Sequence, residues 1–442
     1  MTNPMDNTEL EQAAEVALHH AKKQGASQAE AGVSHGKGLS VTVRQGEVET
    51  LEHDNDTSLG LTVFFGHKKA SASTTDLSQS AIKDAVEAAC RIAKHTQEDE
   101  CVGLADIALM ADNFPDLSTF HPWELSADHA IMLATNCEQS GFDVDQRVTN
   151  SEGASVSNYQ GGRVYANSHG FLGSVLGSRH TISCALIAKD DRGMQRDYWY
   201  DMARDANDLA PPEVIGRRAA NNTIKRLGAR PIKTGNYPVI FAAELAPSLF
   251  GQLTAAIRGG ALYRQSSFLL DQLGKQIFPD FVHIHEQPHL LKGLGSAAFD
   301  NEGVATSARD IIREGILQGY ILDSYSARKL NMQTTANAGG VHNLTVDGGA
   351  LDLPMMLKEM GTGVLVTETM GMGVNIVTGD YSQGAAGFWV ENGEIQYAID
   401  EFTIASNLRD MFMKIQAIGN DTEKRGNTLT GSVWLDKMMI AA

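Results

Sequence analysis

The string with the clearest chemical potential is His285-Glu286-Gln287-Pro288-His289, which carries the letters of the His-Glu-x-x-His motif of zinc peptidases. That motif works on a helix, where two imidazoles one turn apart hold the metal and the glutamate beside them acts as general base. Pro288 opposes it. An interior proline clashes with the preceding turn at about 3 kcal/mol or more and disfavours helix for the residue before it. Val282 and Ile284 alternate with His283 and His285, which predicts a strand. On a strand His285 and His289 do not share a metal. A different site, with His283 and His285 on one strand face, stays open beside the plainer reading of a polar strand end entering a loop.

Other candidates are weaker. Glu244 opens a predicted helix after the apolar run Val239-Ile240-Phe241, where the helix dipole favours a carboxylate. It is a weak catalytic candidate, and Pro247 fits the first turn of that helix. Two polar, glycine-flanked loops are candidates for peptide binding: Asp300, Glu302 and Gly303 in one, and Gly379, Asp380, Ser382, Gly384 and Gly387 in the other. Exposed backbone at glycines can pair with an extended peptide by strand addition. Ordinary turns are the alternative for both. Gly371-Met372-Gly373 lacks the third glycine of a dinucleotide site, and there is no phosphate-binding Gly-Lys-Ser/Thr loop. No serine sits in a Gly-x-Ser-x-Gly elbow, and the second half has no cysteine to act as nucleophile.

The elements that must position these residues alternate in type. Leu10, Ala13, Ala14, Ala17, Leu18 and Ala21 share one helical face, with Thr8 and Glu11 as a capping box and Gly25 as the stop. Strand alternation follows at Leu39–Val43 and Leu59–Phe65, turning at Gly46. Helices are expected from Ser78 and over about Ser126–Glu138. Residues 146–204 read as antiparallel hairpins, with turns at Gly161-Gly162 and Asn167–Gly170. Pro211-Pro212 opens a helix that ends at Leu227-Gly228. Ala229–Pro238, with two prolines and no apolar periodicity, is the best linker. Beyond it come a buried strand, a helix carrying Leu245, Leu249, Leu253 and Ala256, a glycine-dense stretch of strands and turns, and an amphipathic helix over Asn407–Ile418. The fold class is α+β: an N-terminal domain over 1–230 with helices on an antiparallel sheet, and a strand-rich C-terminal domain over 231–442 with a few helices.

At 442 residues, two or three domains are expected, and 42% apolar residues can fill their cores. The net charge of −18 argues against nucleic acid, which needs a concentrated basic surface. Cys90, Cys101, Cys137 and Cys184 form no Cys-x-x-Cys pair, which fits a reduced cytoplasm. Met1–Glu11 is polar and acidic, unlike a signal peptide, and no apolar run approaches the ~20 residues that span a bilayer.

Several segments together resemble the TldD/PmbA peptidase family. Val43–Thr50 followed by Leu59–Val63 is similar to its N-terminal sheet, and Phe299–Val304 resembles its Asp-x-Glu-Gly turn. Gly315–Tyr320 and Ser324–Lys329 continue the pattern. Gly379–Val390 resembles the late glycine-rich segment of the PmbA (TldE) branch, and Ile418–Asp421 its C-terminal stretch. In the TldD branch a zinc motif, His-Glu-x-x-x-His, lies on the helix after the first strand of the C-terminal domain. At that place this chain has Ala243, Glu244 and Ser248: the glutamate without the histidines. The resemblance therefore implies a subunit that binds no metal itself, paired with a zinc-bearing TldD-like partner. The family implies degradation of unfolded or short peptides and maturation of microcin-type peptides. Two other readings stay open: a homomeric peptide-binding or scaffolding protein without peptidase activity, and an autonomous metal hydrolase around His283, His285 and His289.

Overall fold

A computed structural model describes residues 7–441 of the chain. Of the acidic stretch read at Met1–Glu11, Met1–Asp6 lie outside the described residues. The first half runs α1 (Thr8–Lys23), β1 (Gln28–Arg44), β2 (Glu47–Phe65), β3 (Lys68–Thr74), α2 (Gln79–Ala93), α3 (Ala127–Phe142), β4 (Val148–Asn167), β5 (Leu172–Asp190), β6 (Gly193–Ala203) and α4 (Pro212–Lys225). Its strands form one antiparallel sheet in the order β3-β2-β1-β4-β5-β6.

Strand alternation places all four helices on one face of this sheet. Ala29, Ala31 and Val33 of β1 pack under α1 and α2, and Leu39, Val41 and Val43 of the same strand pack under α3 and α4. At about 3.3 Å per residue a strand as long as β1 can underlie both helix pairs. Ser78 and Ser126 cap α2 and α3 through their hydroxyls, accepting from Ala81 N and His129 N. The N-cap of α1 is Asn7, not Thr8, and its side chain donates to Ser174 Oγ at 2.7 Å instead of capping the helix. Gly161-Gly162 is not a turn: β4 passes straight through it. A Cβ on Gly161 would lie 2.6 Å from His35 O, and one on Gly162 would lie 1.9 Å from Asn7 Oδ1. These glycines allow close approach, not reversal.

The second half runs β7 (Gly235–Phe241), α5 (Pro247–Ala256), α6 (Gly259–Tyr263), β8 (Ile284–Glu286), β9 (Arg309–Arg313), β10 (Ile316–Leu317), α7 (Ser324–Lys329), β11 (Leu344–Val346) and α8 (Leu353–Met360). It continues with β12 (Gly363–Met370), β13 (Val374–Asn375), β14 (Asp380–Glu391), β15 (Glu394–Asn407), α9 (Leu408–Met413), β16 (Ile415–Ile418), β17 (Thr428–Leu429) and β18 (Val433–Ala441). One sheet has the order β10-β9-β8-β11-β17. In the other, β12, β7, β18, β15 and β14 pair in sequence and β14 pairs back onto β12, so the strands close a ring around a large apolar core. The helix expected over Asn407–Ile418 stops at Met413, because Ile415–Ile418 pairs with β18. The last four residues of the expected linker, Gly235–Pro238, belong to β7. Pro238, which cannot donate to a ladder, faces a register shift in β18 between Leu435 and Met438.

The two halves meet on the sheet face opposite the helices and again at α4. Phe299 packs edge-on against Phe171 and Phe114, with ring centroids 5.3 and 5.4 Å apart. The Arg328 guanidinium on α7 donates to the carbonyls of Cys101, Gly103 and Leu104 in the segment after α2. Three carbonyls on one cation form a strong, directional clamp. Arg328→Ala should cost about 2–4 kcal/mol in a thermal or urea melt and speed limited proteolysis of the segment between α2 and α3. An unchanged melt with unchanged cleavage would count against the clamp.

Candidate functional site

The β7 strand ends in the buried residues Val239, Ile240 and Phe241, and the chain then turns sharply. Leu245 N and Ala246 N both donate to Ala242 O, at 2.8 and 2.9 Å, and α5 begins only at Pro247. Glu244 therefore sits in the turn before the helix, not in its first turn as the sequence reading expected. Pro247 is at the helix start, where its missing N–H is harmless.

This turn floors a cleft of about 950 Å³ between the two halves. One wall comes from β6 and α4, the other from β12, with Asp421, Glu423 and Arg425 at the rim. Trp199 is sandwiched between two guanidiniums, Arg218 at 3.4 Å and Arg425 at 3.9 Å from its ring centre. Arg425 also lies 4.4 Å from the Tyr200 ring, and the Tyr200 hydroxyl donates to Arg425 O at 3.3 Å. Arg218 pairs with Glu423 at 2.5 Å. Arg226 bridges Asp197 at 3.3 Å and Glu368 at 2.5 Å. Burial raises the Glu244 carboxyl above its ordinary range, and Arg425 and Arg218 partly offset this.

A zinc ion does not fit here. Structural and catalytic zinc sites draw on imidazole, thiolate and carboxylate donors in close tetrahedral array. No histidine or cysteine is among the described residues lining the cleft. Ala243 offers a buried methyl, Ser248 is exposed on α5, and the arginines by Glu244 oppose a dication.

The histidine cluster is dispersed. β8 is shorter than the expected strand, starting at Ile284. His283 Nδ1 accepts from Glu314 N at 3.4 Å, His285 Nδ1 lies 3.6 Å from Asp347, and His289 Nε2 meets Thr306 Oγ1 at 3.0 Å. Among the described residues, no group of three or more histidines, cysteines or carboxylates is placed to hold a metal. Glu286, the glutamate of the string, is 1% exposed. It accepts from Arg309 Nε at 2.9 Å and from Asn337 Nδ2 and His342 N at 2.8 Å each, so it ties three segments of the second half together.

The two loops expected to hold peptide have other partners. Asp300 is 2% exposed; its Oδ1 accepts from Glu302 N and Val304 N, and its Oδ2 from Ala338 N. Glu302 accepts from Ser324 N at 2.9 Å, capping α7 beside Asp323. Gly303 has φ +80, and a Cβ there would lie 3.0 Å from Phe171. This turn is part of the joint between the halves. Gly379, Asp380, Ser382, Gly384 and Gly387 lie at the start of β14 or along it. Gly384 pairs with both Met370 and Thr403, and Gly387 with both Val366 and Ile399. Strand addition at these two glycines is thereby corrected: neighbouring strands already flank both edges. The cleft was missed because Trp199, Arg218 and Arg425 are remote in sequence and follow no motif.

The comparisons with known proteins agree along the chain. Residues 29–93 match the model for PmbA/TldA metallopeptidase domain 1, residues 120–227 the central domain and residues 234–442 the C-terminal domain. The chain is 52% identical to Metalloprotease PmbA of Escherichia coli O157:H7 over 98% of its own length and 96% of the relative's. It is 49% identical to a Metalloprotease PmbA homolog of Haemophilus influenzae, covering 98% and 96%. A Bacteroides thetaiotaomicron structure, named for a proposed role as a modulator of DNA gyrase, superimposes with TM-score 0.94 at 26% identity, covering 99% of this chain and 100% of that one. TldE from Thermococcus kodakarensis shares the fold, with TM-score 0.84 at 20% identity, covering 97% and 100%.

Two outcomes follow from this geometry. A Cβ on Gly387 would stand 2.0 Å from Leu365 O, whereas one on Gly384 meets nothing nearer than 3.5 Å. Gly387→Val should therefore cost about 3 kcal/mol or more in a urea melt, and Gly384→Ala about 1 kcal/mol or less. The Glu302 carboxyl is pushed by burial from its ordinary 4.5 up to about 7. The folded chain holds a proton there that the unfolded chain has released, so this stabilisation is lost as pH rises from about 4.5 to about 7. Glu302→Gln, which does not titrate, should gain on the native chain by up to about 1.4 kcal/mol per pH unit across that window. A constant gap between the two melts from about pH 5 to about pH 8 would refute the assignment. Sequence, family models and fold together lead to one conclusion: the chain belongs to the PmbA/TldD metallopeptidase family.

Proposed function

We propose that this chain is the PmbA-type subunit of a heteromeric metallopeptidase, acting beside a zinc-bearing, TldD-type partner on short or unfolded peptides. The observation that carries this is the β7–α5 turn. It presents a half-buried glutamate to an interdomain cleft, with a methyl group and an exposed hydroxyl where the zinc motif would have its two imidazoles. Such a subunit contributes shape, access and peptide contacts, and the partner's metal supplies the hydrolytic step. Maturation of microcin-type peptides is a further role of the same complex. The four cysteines are unpaired, three of them buried, which supports a reducing cytoplasm as the compartment. No helix among the described residues is long and apolar enough to cross a membrane.

The test is peptide digestion by the purified chain alone, by a TldD-type protein alone and by the two mixed. The chain alone should hold no stoichiometric zinc and cleave nothing, and the mixture should cleave and lose activity to a chelator. Chelator-sensitive cleavage by this chain alone would overturn the proposal. Failure to co-purify with the TldD-type protein would favour a homomeric peptide-binding protein instead.

A further inference from the structure

Five carboxylates and four cations line the cleft, and Arg226 stands beside them. Asp197 and Glu368 are committed to Arg226, and Glu423 to Arg218. Asp421 accepts from Ser432 N and Oγ at 3.1 and 2.7 Å. Among the described residues, Arg217, Lys225 and Arg425 line the cleft without a carboxylate at ion-pair distance, and Glu244 and Asp421 are the lining carboxylates without a cation at that distance. Among these groups outside an ion pair, cations outnumber carboxylates three to two.

Arg425 is the best placed of these cations. Trp199 and Tyr200 lie against its guanidinium at 3.9 and 4.4 Å, which orients the group without using its N–H edge. Its Nη1 is buried and has no hydrogen-bond partner. A buried donor left unmet costs about 1–3 kcal/mol, more when charged, so an acceptor arriving there recovers that loss. A guanidinium edge matches a carboxylate, which it can grip at two points. The rest of the cleft is partly apolar, with Ala243, Leu245, Leu365 and Phe388 among its lining.

We propose that the cleft binds the C-terminal carboxylate of a peptide, with Arg425 as its main donor and the apolar wall receiving the last side chain. The inference rests on the peptide-handling reading only in taking a peptide as the source of the carboxylate; a free amino acid carries the same group. Glu244 faces the site as a like charge and disfavours the ligand until it is protonated or neutralised.

Calorimetric titration of the isolated full chain tests this with three probes: N-acetyl-alanyl-leucine, its C-terminal amide, and free leucine. The acid should bind, and the amide and leucine should bind about tenfold or more weakly. Arg425→Gln should weaken the acid by about tenfold or more and leave the amide unchanged, whereas Glu244→Gln should leave the acid equally tight or tighter. If Arg425→Gln melts early, Arg425→Lys keeps the charge, loses the two-point grip and should fall between. Acid and amide binding alike, no binding of the acid, or leucine binding as tightly as the acid would each overturn the proposal on the native chain. So would full affinity in folded Arg425→Gln. An inert mixture with the TldD-type protein would refute the peptidase reading without touching this titration.

Discussion

The Arg226 guanidinium sets the relation between the two walls of the cleft. It lies at the end of α4, in the first half, and holds Asp197 of β6 on its own side and Glu368 of β12 on the other. Burial raises the Asp197 carboxyl, and Arg226 works against that rise. Removing the arginine would leave a desolvated acid without its cation, a loss far larger than the net worth of the pair. The bridge is therefore weak evidence for overall stability and strong evidence for position. With it in place, α4 presents Arg218 to Trp199, and the β7–α5 turn brings Glu244 opposite.

Charge in this cleft is fixed by aromatic stacking. A metal gathers its ligands from several directions and tolerates flexible donors; a guanidinium on an indole is held by its faces and offers only its edge. At the turn after β7 the chain carries a glutamate, a buried methyl and an exposed hydroxyl. The same frame that could orient a general base here surrounds an acid with arginines.

Much of the frame was legible in the sequence because it is local. Ser78 and Ser126 announce helices by hydroxyls that cap them, and the alternating Leu39, Val41 and Val43 announce the inward face of β1. Where a local signal had two physical meanings, the tertiary one prevailed. Gly161-Gly162 has turn composition, but its lack of side chains serves Asn7 and His35 packed against it. Ile415 and Ile418 fit a helical face and also a strand, and an available edge of β18 decided for the strand. The glutamate of the His-Glu string shares the inward face of β8 with Ile284, a placement visible as period-two alternation, while its partner Arg309 was not. The cleft was illegible for a plainer reason: the 421–425 loop reaches β6 and α4 only after the halves dock.

The closed ring of the second half carries a consequence for biosynthesis. Its first strand, β7, pairs with β18, which leaves the ribosome after every other strand of the ring. Until then β7 and β15 each lack a neighbour, and the apolar core they cover stays open to water and to other nascent chains. The six-stranded sheet and its helices need nothing from the ring for their two inner clusters and can collapse during translation. Synthesis thus delivers an ordered first half joined to an unsealed second one. The interval before β18 docks is when the chain most needs chaperone protection.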